Sequence, residues 1–102
     1  MIPPRVWIGV VEVTQGDSEL LSNADGAFVK VLAWASSNEE FCSKARELMD
    51  YLQVKVIGMH EVRQFSSVRG ADHETKSIAL ELQADRNAIR YATFHTWTGM
   101  RH

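Results

Sequence analysis

The stretch from Phe28 to Phe65 constrains the fold most, because it reads as strand, capped helix and strand with almost no residues spent on the joints. In FVKVLAWA, Phe28, Lys30, Leu32 and Trp34 fall on one side of an extended chain and Val29, Val31, Ala33 and Ala35 on the other, since side chains alternate across a strand. Both sides are largely apolar. Such a strand is interior to its sheet and covered on both faces, or covered on one face by helices and on the other by a partner or ligand. Ser36 and Ser37 stop it, and Ser37 with Glu40 has the spacing of a capping box. Phe41, Ala45, Leu48, Met49 and Leu52 then form one helical stripe, with Glu39, Glu40, Lys44, Arg46, Glu47 and Asp50 opposite. A Glu40–Lys44 pair is worth roughly 0.2–0.5 kcal/mol, so burial of the stripe anchors this helix. VKVIGMHEVRQF turns back to strand, and Gly58 marks a bulge where the inward side changes parity.

Upstream, Arg5 to Val13 is a second apolar strand, with Val6, Ile8 and Val10 on one side and Trp7, Val11 and Val13 on the other. Pro3 and Pro4 keep the chain before it extended. Residues 14–26 are polar, carry Gly16 and the turn signal Asp25-Gly26, and form a connection long enough to be a candidate lid. Downstream, residues 66–71 form a loop and Asp72 can cap HETKSIALELQADRN, which is rich in helix formers. Ile78, Ala79 and Leu82 share a helical face, yet Ile78, Leu80 and Leu82 also alternate. A strand turning through Asp85-Arg86-Asn87 is therefore the alternative, and scarce β-branched residues favour the helix. Ala88 to Trp97 closes the chain as one strand, with Ile89, Tyr91, Thr93, His95 and Trp97 on a common side, and residues 98–102 are a fraying tail. The order ββαβαβ, with about four strands and two helices, makes an α+β two-layer sandwich. It resembles the ferredoxin-like α/β plaits, without their helix between the first two strands.

A chain of 102 residues is one domain with one core, and 45% hydrophobic with 24% charged residues excludes a disordered or fibrous class. A formal net charge of −2 offers no basic footprint, so nucleic acid is not the expected partner. The single cysteine, Cys42, excludes an internal disulfide and reads as a half-buried structural thiol. No apolar run reaches the roughly 18 residues of a membrane span. The first residues lack a signal peptide's charged, apolar and cleavage regions, so a soluble cytoplasmic protein is expected. His60, His73, His95 and His102 stand singly, with no HExxH and no cysteine partner, so no metal site is nominated. GxGxxG, the P-loop, GxSxG and CxxC are all missing, and neither a cofactor nor a catalytic residue is implied.

Three tryptophans, Trp7, Trp34 and Trp97, lie on expected strands, with Tyr91 and His95 sharing a side with Trp97. Plain core is one reading of them. If both helices cover one sheet face, the other must be closed by something else, because large apolar patches are rarely left wet. These five are the candidate ligand or interface residues. The leading reading is a binding or interaction module, a homodimer burying this face or a module enclosing an apolar ligand. One alternative is a small cofactor-free enzyme with His60 or His95 as general base. Another is a regulator or neutraliser of a macromolecular partner, which the acidic helix face would suit.

Overall fold

The computed structural model describes residues 4–14, 24–65 and 71–97. In chain order they form β1 (Arg5–Thr14), β2 (Gly26–Ala35), α1 (Asn38–Tyr51), β3 (Lys55–Gln64), α2 (His73–Ala84), β4 (Ile89–Tyr91) and β5 (His95–Trp97). All the strands belong to one antiparallel sheet of order β3-β1-β2-β4, with β5 also on β2. The α+β class and the ββαβαβ order hold, with the last strand divided in two. β2 and β3 both run antiparallel to β1 and so parallel to each other, and α1 supplies the crossover that such a pair requires. Residues 15–23 of the candidate lid, residues 66–70 of the loop after β3 and the tail lie outside the described residues.

α1 starts where its cap predicts: Ser37 Oγ accepts the Glu40 amide at 3.1 Å. The Glu40 carboxylate reaches back to the Ser36 amide at 3.0 Å, one residue earlier than in a standard capping box. Phe41, Ala45 and Met49 are fully buried against Val11, Val13, Val29, Val31 and Ala33, while Leu48 and Leu52 flank them half-buried. Cys42 is half-buried beside this core, its Sγ donating to Asn38 Oδ1 at 3.4 Å. Gln53, at φ 63°, ends the helix and turns the chain into β3.

β3 carries two bulges rather than one. Its pairing with β1 slips between Glu12 and Val13 and again between Ile8 and Val10, leaving Ile57 and Glu61 as the extra residues, the latter at φ 53°. Each slip flips the side chains, so the residues facing α1 are Val56, Met59 and Val62, three apart instead of two.

α2 is a helix capped by Asp72, whose Oδ1 accepts the Thr75 amide at 2.7 Å. Its buried Ile78 and Leu82 pack with Ile8, Leu32, Ala88 and Ala92. Ile8 and Leu32 point away from Val11 and Val31, so α2 lies on the face opposite α1, and the expectation of both helices on one face is corrected. The physical reason is visible in the strands. The second face is apolar at one end, through Val6, Ile8, Leu32 and Trp34, and polar at the other, through Glu12 and Lys30. A twelve-residue helix buries only the apolar end. The sheet and α1 thus make the two-layer body, and α2 caps half of its outer face.

The closing strand is the second correction. Val31 faces Tyr91, whereas Phe28 faces His95, so three residues of the last segment span what two residues of β2 span. The extra residue reverses parity. Glu74 Oε2 pins this kink by accepting the Thr93 amide at 3.0 Å and the Thr93 hydroxyl at 2.7 Å. Those two bonds, the hydroxyl first, hold the Glu74 carboxyl below its usual range. No helix among the described residues is long and apolar enough to cross a membrane.

Candidate functional site

Where α2 meets the sheet it leaves a cleft of about 360 Å³, floored by Ile8, Gly9 and Val10 and walled by Lys30, Glu61, Arg63, Phe65, Ala71, Asp72 and Thr75. Each wall has a local cause. Lys30 is the one charged residue of β2, and strand alternation alone puts it on this face. Its ammonium meets Asp72 Oδ2 at 3.0 Å and ties the sheet to the start of α2. On the other side, Arg63 pairs opposite Ile8 in the β1–β3 register, so it shares the cleft's face, and the bulge residue Glu61 joins it at the rim. Ile8 is 6% exposed, while Val10 and Phe65 are half-buried, which gives the cleft an apolar floor beneath charges of both signs.

Hydrogen bonding from Thr75, whose amide donates to it at 2.7 Å, and then from the Lys30 ammonium holds the Asp72 carboxyl far below its usual range. A depressed pKa means that Asp72 stabilises the fold fully above the ordinary carboxylate value and loses that contribution as pH falls through the depressed one. Asp72→Asn keeps a competent cap and removes the charge. Its thermal midpoint should lie below wild type at neutral pH, and the gap should narrow once pH drops under about 4. A gap of equal size at both ends of the titration would show that the charge contributes nothing.

Below the cleft the same face continues through Glu12, Phe28, His60 and His95. His60 Nε2 lies 3.2 Å from Glu12 Oε1, and its ring centroid is 6.4 Å from that of Phe28. Gly58 makes this reach possible. It sits opposite Glu12, and a Cβ there would stand 3.2 Å from His60 Nε2. The partner of His60 is thus Glu12 on the neighbouring strand, not the adjacent Glu61. A carboxylate can orient a histidine in this way for general-base work, but His60 does not line the cleft.

The five expected aromatic-face residues do not converge. Trp7 faces α1, stacks on Phe41 at 6.5 Å and donates from Nε1 to Ala35 O at 3.1 Å. Tyr91, paired with Val31, shares that side and meets the Phe94 ring edge-on at 5.7 Å. Trp34 is on the second face, where its Nε1 donates to Leu82 O at 2.7 Å and the Arg86 guanidinium covers its ring at 4.7 Å. It borders a wider hollow of about 500 Å³ with Val6, Phe65 and Arg86. His95 and Trp97 are the pair brought to one side, across from Phe28 and Gly26. Trp7, Trp34 and Trp97 are half-buried, whereas Tyr91 and His95 are exposed.

No local sequence pattern groups Lys30, Glu61, Arg63, Phe65 and Asp72, because β2, the end of β3 and the cap of α2 meet only in the fold. One signal was present: a lone lysine in an otherwise apolar strand marks where that strand meets solvent or a polar partner. Among the described residues, no three His, Cys, Asp or Glu side chains gather in a metal-holding group. No protein-family model matches the chain, and neither a curated protein nor a solved structure is significantly similar to it.

Proposed function

We propose that this chain is a binding module whose ligand is a small amphipathic molecule held in the cleft between the sheet and α2. The observation that carries the reading is the lining itself, an apolar floor of Ile8, Val10 and Phe65 under the convergent charges of Lys30, Glu61, Arg63 and Asp72. Small-ligand sites combine an apolar body with a few placed polar groups, and span roughly 300–1,000 Å³. Amide chemical shifts followed during titration with a panel of aromatic and aliphatic fragments test it. The expected result is saturable movement clustered at Ile8, Val10, Lys30, Arg63 and Thr75. Movement confined to other surfaces would overturn the assignment.

A second reading, homodimerisation, draws on the lower half of the same face. Phe28 lies there among Glu12, Lys30, His60 and His95, charges of both signs that a two-fold axis can set against one another. On this reading Phe28→Glu lowers the sedimentation coefficient of a concentration-dependent dimer to that of a monomer. A wild-type chain that sediments as a monomer at high micromolar concentration would rule the dimer out.

A further inference from the structure

We infer that the cleft's ligand is a small zwitterion on an apolar body, of the class of free α-amino acids with a hydrophobic side chain; the inference rests on the cleft being a ligand site. The four charges that line it, Lys30, Arg63, Glu61 and Asp72, cancel formally, so the cleft has no net preference for one sign. They divide unequally. Lys30 and Asp72 answer each other at 3.0 Å, with Asp72 further held by Thr75, and this pair serves as the fixed wall that joins sheet to helix. Glu61 and Arg63 stand at the other rim, and among the described residues neither has an ion-pair partner.

A ligand bearing only a carboxylate satisfies Arg63 and brings a like charge towards Glu61. One bearing only an ammonium does the reverse. A molecule that carries both, on adjacent atoms, meets the two together: guanidinium to carboxylate in a fork of parallel hydrogen bonds, and carboxylate to ammonium beside it. Its side chain then lies on Ile8, Val10 and Phe65. The bulge belongs to this arrangement. Glu61 keeps φ 53°, a left-handed conformation uncommon for a residue with a Cβ, and the extra residue lets His60, Glu61 and Arg63 all serve one face.

The test uses L-phenylalanine, 3-phenylpropanoate, 2-phenylethylamine and 3-phenylpropanol, which share a skeleton and differ in charge, each titrated into the intact chain while amide shifts are recorded. L-phenylalanine should bind about tenfold or more tightly than any of the other three, the margin expected when a charge-assisted contact is lost. Glu61→Gln should erase the discrimination against 3-phenylpropanoate while keeping that against the amine, and Arg63→Gln should do the opposite. A merely structural role for either residue would weaken all the probes alike. If the acid, amine or alcohol binds the cleft as well as L-phenylalanine, the zwitterion is overturned and the cleft remains a ligand site. If none of the probes moves the cleft amides, both readings fall together.

Discussion

Phe41→Ala is expected to remove about 3–5 kcal/mol of stability, because Phe41 is the largest fully buried side chain among the described residues. The ring is fully buried and sits where three strands converge on α1, with Trp7 stacked against it at 6.5 Å. Gly9 explains how it fits. A Cβ at Gly9 would come within 2.9 Å of Phe41 Cε2 and 3.1 Å of Val62 Cγ2, so the ring occupies space that only a glycine leaves in the middle of β1. Removing the ring leaves a cavity bounded by strand backbone, which cannot collapse to fill it. A domain of this size has a total stability of about 5–15 kcal/mol, so the variant should lie near the edge of folding. Urea denaturation measures the effect: the midpoint should fall with little change in slope. A loss under about 1 kcal/mol would mean that the ring does not lock α1 to the sheet.

Leu82→Ala should cost about 2–5 kcal/mol, whereas Leu80→Ala should change stability by less than about 0.5. The two leucines are two residues apart and would share a face in a strand. In the helix Leu82 is fully buried against the second face of the sheet, and Leu80 is 62% exposed. Leu82 also anchors that contact through its carbonyl, which accepts the Trp34 indole N–H at 2.7 Å. The same pair of variants therefore tests both the helical state of residues 73–84 and the placement of α2 opposite α1. Comparable losses at the two positions would contradict both. Because Trp34 lies in this contact, its fluorescence should report the Leu82→Ala change.

Local chemistry made much of the fold legible. Ser37 as the cap of α1, the stripe through Phe41, Ala45 and Met49, and the alternation of β1 and β2 depend on neighbours within a turn or a strand. The bulges were less legible. Gly58 pointed to one irregularity, but a bulge is a relation between two strands. The slips at Ile57 and Glu61 follow from fitting Val56, Met59 and Val62 onto α1.

The candidate site was hidden for the same reason. Tyr91, His95 and Trp97 share a side in any uninterrupted strand. The single extra residue between β4 and β5, pinned by Glu74 to Thr93, sends Tyr91 to the other face. His60 was adjacent in sequence to one carboxylate and found another, Glu12, across the sheet. The sequence by itself determined that β1, β2 and α1 are strand or helix and which side of each is apolar, because those depend on a periodicity carried by consecutive residues. Only the tertiary structure decided which face of the sheet each helix covers and which charges meet at Lys30, Glu61, Arg63 and Asp72. Those depend on register and on competition for buried area between elements far apart in the chain.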